Sequence, residues 1–124
     1  MATFPYDASF DPPAPILPVG ASSAHVAEGV TVPAFVDSGA DLSAMPATVA
    51  RKLGLSQVGE TAVSGPLGGA RLCPLFSVSL WVPGVKAVSV EAVLWQEPYL
   101  LLGRDALNEW KVTLDGPQGS LGIE

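Results

Sequence analysis

The chain has 124 residues, of which 48% are hydrophobic and only 15% are charged, and its formal net charge is −6. This length allows one domain with a core of its own. An acidic chain whose few basic residues are scattered is unsuited to nucleic acid or to anionic membranes, and no apolar run is long enough to cross a bilayer. The sparse charge favours a surface partly covered by a second copy of the chain.

The sequence contains a single cysteine, Cys73, and a single histidine, His25. An intramolecular disulfide and a Cys/His zinc site within one chain are therefore excluded, and neither a metal nor a cofactor is expected. Cys73 lies in an apolar stretch and is expected to be a small buried core residue, while His25 is expected to be exposed. The first residues lack the pattern of a signal peptide, which predicts a cytoplasmic protein.

Short apolar segments cut by 13 glycines and 12 prolines predict an all-β barrel or sandwich. Residues 1–13 are expected to form an extended N-terminal arm, followed by one domain over residues 14–124. Its first strand, residues 14–19, contains two prolines and is expected at a sheet edge. A short return strand at residues 25–27 then leads to an apolar strand at residues 30–37.

That strand ends in a short polar motif: Asp37, Ser38, Gly39, Ala40 and Asp41. A strand that ends here holds the Asp37 carboxylate on rigid backbone at the edge of the core. By themselves, Asp, Ser and Gly also fit an ordinary turn, because all three are favoured turn residues. Read alone, the motif leaves a catalytic carboxylate and a simple turn both open.

The rest of the chain predicts two helices and several further strands. Pro46 at a helix start, basic residues in the last turn and Gly54 after it predict a helix at residues 46–53. The remaining elements are a glycine-bearing hairpin at 56–72, strands at 72–82, 87–95 and 99–102, a short helix at 105–110, and a closing hairpin at 111–124. The closing hairpin has apolar residues with no obvious place inside so small a barrel, so it is a candidate dimer surface.

A second motif, Leu101-Leu102-Gly103-Arg104-Asp105, also ends an apolar strand. Together with Phe35-Val36-Asp37-Ser38-Gly39-Ala40 and the glycines of Gly65-Pro66-Leu67-Gly68-Gly69, it resembles the retropepsin-like aspartic peptidases. This single-lobe family includes the retroviral proteases and their cellular and bacterial relatives. The resemblance covers roughly residues 14–124 and implies a small closed β-barrel of the acid-protease type, with one lobe per chain and one or two short helices.

The resemblance implies a role for each motif residue. Asp37 would be catalytic, with Ser38, Gly39, Ala40, Asp41 and Arg104 in support, and Arg104 would pair with Asp41 in a buried, structural contact. The flap would be Gly65, Pro66, Leu67, Gly68 and Gly69. Because Asp-Ser-Gly occurs once, a single chain carries half of a carboxylate pair, and an isologous homodimer would complete it.

The leading hypothesis is a homodimeric aspartic endopeptidase that cuts extended peptide segments. A catalytically idle dimerisation or peptide-binding domain is the alternative, since a fold does not guarantee an activity. A β-sandwich binding module with chance motifs is a third interpretation. Retroviral members also carry an N-terminal arginine that reaches the counterpart of Asp41 in the other subunit. Here no Arg or Lys precedes Arg51, so a dimer would depend on apolar contacts and strand pairing.

Overall fold

The computed structural model describes residues 1–23, 28–64 and 68–124, and these residues are mostly β-strand. The strands are β1 (Ala2–Pro5), β2 (Ile16–Ser22), β3 (Val30–Val36), β4 (Ala44–Pro46), β5 (Gln57–Ser64), β6 (Ala70–Trp81), β7 (Val88–Trp95), β8 (Leu100–Leu102), β9 (Val112–Asp115) and β10 (Ser120–Ile123). The helices are α1 (Ala47–Leu53) and α2 (Arg104–Leu107). The predicted all-β class with short helices is confirmed. The expected return strand at 25–27 and its His25 lie outside the described residues.

The main sheet closes on itself. Its strands follow the order β2-β3-β8-β4-β7-β6-β5, and an additional pairing between β2 and β6 joins its two sides into a ring. Within the ring β3 runs parallel to β8 and β4 runs parallel to β7, while the neighbouring pairs are antiparallel. Closure leaves few unpaired strand edges, as in the small barrel that the sequence predicts.

Among the described residues, positions 16–19 of the first strand of the ring pair with β3 alone, so this part lies at an edge, as its prolines predict. β2 pairs with β3 on one side and, from Gly20 to Ser22, with β6 on the other. Its internal Pro18 faces Pro33 of β3, so two residues without an N–H oppose each other, and β6 pairs only beyond that point. The prolines are therefore tolerated without leaving the whole strand unpaired.

The core fills the ring with aliphatic side chains from every side. Fully buried side chains include Leu17, Val19, Met45, Val78, Leu80, Leu100 and Leu102. The alternation of buried and exposed residues along β7 follows from the period of two in a half-buried strand. Burial of these side chains is the main favourable contribution to folding.

A long hairpin of β5 and β6 extends from the ring. The two strands pair from Gln57↔Phe76 to Ser64↔Ala70, and the chain between them includes residues 65–67, which are outside the described parts. Gly68 and Gly69, at φ 83° and 80°, adopt a conformation that favours glycine. The hairpin thus lies where the sequence places the glycine-bearing 56–72 segment.

The chain ends form a separate three-stranded sheet in the order β1-β10-β9. The arm at residues 1–13 contains the extended strand β1, which pairs with β10, and the amide of Tyr6 donates to the carbonyl of Gly119 at 2.7 Å. Leu121 and Ile123 of β10 are buried in the main core, so the closing hairpin does have a place inside, contrary to expectation. β1 pairs with β10 along the whole of that strand. Leu114 of β9 stays 51% exposed.

The predicted helix after Asp41 is confirmed, with one change at its start. Pro46 is the N-cap of α1 rather than its first residue, and Gly54 ends the helix at φ 63°. The second helix is shorter than the expected 105–110, because the amides of Glu109 and Trp110 donate three residues back, to the carbonyls of Ala106 and Leu107 at 3.0 and 3.2 Å, which is turn geometry. In the described ranges, no helix combines the length and apolar character needed to traverse a bilayer.

Candidate active site

Two parallel strands bring the distant sequence motifs together. β3 and β8 pair in register, with Phe35 opposite Leu101 and Val36 opposite Leu102. Immediately after β3, the amide of Asp37 donates to the carbonyl of Leu102 at 3.0 Å. Because both strands end at the same side of the ring, the Asp37 loop lies beside Gly103 and Arg104.

The Asp37 carboxylate is held by its own loop. Its Oδ1 accepts the amide hydrogen of Gly39 at 3.0 Å, and the amide of Ala40 donates to the Asp37 carbonyl at 3.2 Å. These bonds form the turn that Asp, Ser and Gly favour. The side chain is half-buried, and its Oδ2 accepts no hydrogen bond from the described residues. One carboxylate oxygen is thus oriented while the other is available to a reactant.

Arg104 connects three points of this loop. Its guanidinium Nη1 donates to the carbonyl of Ser38 at 2.8 Å, its Nη2 pairs with the Asp41 carboxylate, and its amide donates to the carbonyl of Ala40 at 2.9 Å. The structure therefore brings Arg104 and Asp41 together. The pair is not buried as expected: the side chains are 45% and 83% exposed, because the loop lies at the rim of the single chain.

A buried polar network behind the loop was not predicted. The Ser43 hydroxyl donates to Asp105 Oδ1 at 2.7 Å and accepts the amide hydrogen of Gly103 at 3.1 Å, while the Ser43 amide donates to Asp105 Oδ2 at 3.0 Å. Ser43 is fully buried. Asp105 was expected only as an acidic residue at a helix start, and nothing in the sequence around Ser43 suggests the contact. The network joins the chain just after the Asp37 loop to the second motif.

A cavity of about 480 Å³ opens between this loop and the β5–β6 hairpin. It is lined by Gly39, Ala40, Asp41, Leu42, Ala44, Ala62, Val63, Ser64, Arg71, Cys73, Val93, Leu94, Trp95 and Leu101. Cys73 is half-buried and lines this cavity, so it is not the core residue expected from its apolar neighbours. The reason is that β6 leaves the ring at this point and continues into the hairpin.

An aromatic row lies near the loop. Phe35 and Asp37 are two positions apart on the side of β3 that faces away from the core residue Ala34. The Phe35 ring lies 5.6 Å from the rings of both Phe10 and Tyr99, and the Tyr99 ring lies 5.4 Å from Trp95 of the cavity wall. These apolar faces adjoin the carboxylate loop.

Of the five proposed flap residues, Gly65, Pro66 and Leu67 lie outside the described residues, whereas Gly68 and Gly69 line a smaller recess next to Arg71 and Cys73. The Ser38 side chain is exposed at the tip of the Asp37 loop. Over the parts of the chain that the structure covers, no three His, Cys, Asp or Glu side chains are grouped as metal ligands would be.

Comparison with known families identifies this arrangement. The sequence profile of a family described as aspartyl protease matches residues 23–106, a segment that spans both motifs and the hairpin between them. The match covers well over half of the chain, and the chain belongs to this aspartyl protease family. A search of curated proteins found no match.

Solved structures with the same fold are retropepsin-like proteases. A retropepsin-like aspartic protease from Rickettsia conorii is similar at 19% identity and a TM-score of 0.60, over 98% of this chain and 87% of that one. EIAV protease in complex with the inhibitor HBY-793 has 21% identity and a TM-score of 0.58, over 77% and 86%. The retroviral protease-like domain of Ddi1 from Leishmania major has 22% identity and a TM-score of 0.55, over 89% of each chain. These similarities confirm the single-lobe retropepsin-like fold.

Proposed function

We propose that this chain is an aspartic endopeptidase that acts as a homodimer, with Asp37 from each of two subunits forming the catalytic pair. The observation that carries the proposal is the Asp37 carboxylate, held by the Gly39 amide at the end of β3, in a loop whose Gly39, Ala40 and Asp41 line a cavity of about 480 Å³. Membership of the aspartyl protease family supports it. Each chain supplies one such carboxylate, so a second chain completes the site.

The proposed reaction divides two tasks between two carboxyl groups about 3 Å apart, which share one proton because both cannot be ionised at that distance. The ionised Asp37 takes a proton from water, and the water oxygen bonds to the carbonyl carbon of the peptide. Asp37 of the partner subunit, in its protonated form, gives its proton to the carbonyl oxygen. In the resulting gem-diol, Asp37 gives the proton it took from water to the nitrogen, the C–N bond breaks, and Asp37 of the partner subunit takes back a proton from one hydroxyl as the carbonyl of the new acid forms.

The surrounding residues have proposed supporting roles. Arg104 holds the loop through Ser38 and Asp41, and the exposed Ser38 hydroxyl is available to bond with the second chain across the two-fold axis. The β5–β6 hairpin is proposed as the flap that closes over a bound peptide. Leu114, exposed on the edge strand β9, is proposed as part of the dimer surface.

The test compares the chain with its Asp37→Asn variant on a mixture of unfolded proteins, from about pH 4 to about pH 7, because general acid–base catalysis depends on pH. We expect cleavage by the native chain and none by the variant, with products identified by mass spectrometry. Circular dichroism and sedimentation of both proteins serve as controls for folding and assembly. If neither protein cuts although both are folded dimers, the peptidase proposal is wrong.

A further inference from the structure

Arg71 lies on the side of the hairpin that faces the cavity. In the β5–β6 register Arg71 is opposite Val63, and Cys73 is opposite Thr61, two positions along. Side chains two positions apart share a face of a strand. Val63, Arg71 and Cys73 line the cavity, as do Ala62 and Ser64 of β5. Leu72, on the other face of β6, does not line it; both Arg71 and Leu72 are exposed.

Among the described residues, no carboxylate forms an ion pair with Arg71. The ion pairs among the described residues are Lys86–Glu109, Arg104–Asp41 and Lys111–Glu124, and none of them includes Arg71. The residues outside the described parts, 24–27 and 65–67, contain no Asp or Glu, so they offer no carboxylate. Among the described residues that line the cavity, Asp41 is the other charged one, and it is already engaged by Arg104.

The remainder of the cavity wall is largely apolar. Ala44, Val93, Leu94, Leu101 and the ring of Trp95 lie around the same space. Arg71 itself is exposed. A guanidinium favours a carboxylate that can accept two hydrogen bonds from it, because those bonds are strengthened by charge. A lysine or arginine of the substrate would instead meet a like charge.

We infer that Arg71 determines specificity, and that the peptides best bound here carry an acidic residue close to apolar ones. This inference rests on the proposed function, because it concerns the substrate of the same cleft. In the proposed homodimer the two copies of Arg71 would lie on either side of the two-fold axis. One acidic side chain on either side of the cut bond would then be recognised.

The experiment uses peptides that are identical except for Glu, Gln or Lys, placed in turn at each position around a bond that the enzyme cuts. The expected result for the native chain is a kcat/KM for the best Glu peptide about tenfold above that of its Gln counterpart, and lower still for Lys. The preference should weaken as salt is added, since it is electrostatic. Arg71→Gln should abolish the preference, and Arg71→Glu should reverse it toward Lys.

Arg51→Gln is the matched control, because Arg51 is exposed in the last turn of α1 and does not line the cavity. It should leave the Glu preference unchanged. If the native chain cuts peptides without preferring Glu, or if Arg71→Gln retains the preference, the inference is wrong while the peptidase proposal stands. A uniform loss of cleavage in Arg71→Gln, together with a loss of dimer in sedimentation, would assign Arg71 to assembly and also overturn the inference.

Binding provides a measurement that does not depend on turnover. Fluorescence anisotropy of labelled Glu and Gln peptides with the Asp37→Asn chain, and with the same chain carrying Arg71→Gln, gives the ratio of the two dissociation constants. With Arg71 present, the Glu peptide should bind more tightly than the Gln peptide. With Arg71→Gln, the two dissociation constants should be equal. This ratio remains measurable if the native chain cuts nothing, so failure of the proposed function and failure of this inference are distinguishable.

Discussion

Arg104, from the Leu101–Asp105 motif, is the side chain that contacts the Asp37 loop. A single residue contacts the Ser38 carbonyl, the Asp41 carboxylate and, through its amide, the Ala40 carbonyl. The ion pair with Asp41 is exposed and contributes little to stability on its own. We therefore expect these contacts to fix the position of the Asp37 loop more than they stabilise the folded chain.

Replacing Arg104 with Met should lower activity more than stability. The free energy of unfolding should fall by about 1–2 kcal/mol, from one exposed pair and one hydrogen bond. Peptide cleavage should fall by more than about tenfold, mainly in kcat, because the loop that carries Asp37 loses two of its anchors. Chemical denaturation and steady-state kinetics measure the two effects.

Lys86→Met is the matched control, since it removes the exposed Lys86–Glu109 pair at a distance from the loop. It should change neither quantity appreciably. Equal losses of activity in both variants would contradict the positioning role of Arg104.

At the residue scale, local pattern predicted the two motifs but not their surroundings. The Arg104–Asp41 pairing follows from the family resemblance, whereas its exposure depends on where the rim of a single chain lies. Ser43 and Asp105 are 62 positions apart, and no local pattern joins them. Arg71 and Cys73 are two positions apart, so the sequence places them on the same face of β6. Which face of β6 lines the cavity depends on how the hairpin leaves the ring, and that is not visible in the sequence.

At the level of elements, β8 passes very close to the chain that follows the Asp37 loop. A Cβ added to Gly103 would lie 2.5 Å from the carbonyl carbon of Leu42 and 3.0 Å from the amide nitrogen of Ser43. The backbone of Gly103 is extended, so the requirement for glycine comes from this contact and not from its dihedral angles. The glycine of the second motif thus allows the two motif loops to approach each other.

Gly103→Ala should therefore destabilise the chain and displace the Asp37 loop. We expect a loss of about 3 kcal/mol, at the upper end of the cost of overpacking, because backbone atoms rather than a flexible side chain must move. Thermal unfolding and peptide cleavage should both decrease. The measurement of unfolding should be made on the full chain.

Gly122→Ala provides the comparison at this scale. A Cβ there would lie 2.2 Å from the sulfur of Met1, which is the end of a flexible side chain that is 70% exposed and free to move aside. Its effect on stability should be below about 1 kcal/mol. A similar loss in both variants would contradict the assignment of the Gly103 contact to the backbone.

The elements best predicted are those with complete local patterns. The helix α1 has its proline, its basic last turn and its left-handed Gly54. Buried and less buried residues alternate in the second half of β6 and the first half of β7. The three-residue strand β4 has no such pattern and depends on pairing with β7 and β8. The helix α2 ends at Leu107, and the residues after it form turns that no local pattern distinguishes from a helix.

At the scale of the whole molecule, closure of the ring depends on contacts between distant segments. The β2–β6 pairing joins Gly20 to Trp81, and the ring of Trp81 occupies the space where a Cβ on Gly20 would lie. Nothing in the sequence around Gly20 or Trp81 indicates that the two residues pair. The sequence therefore predicts a barrel but does not say which strands close it. The same applies to β1, which pairs with the far end of the chain.

The proposed homodimer predicts that inactive chains interfere with active ones. When a ninefold excess of Asp37→Asn chains is mixed with native chains and allowed to exchange, activity per native chain should fall about tenfold, because most native chains then have an inactive partner. A short fluorogenic peptide measures the effect. An equal excess of Glu91→Gln chains, altered on the exposed face of β7, should not lower activity per native chain. Unchanged activity in the first mixture would contradict a shared site.

The three-stranded sheet of β1, β10 and β9 is completed within one chain, with Leu121 and Ile123 already buried. We therefore expect a newly synthesised chain to form this sheet without borrowing a strand from another copy. Under the proposed function, folding and activation then become separate events, and the second depends on how many chains a compartment holds. Gene dosage and rate of synthesis would govern proteolysis, and a sparse population of chains would stay folded but harmless.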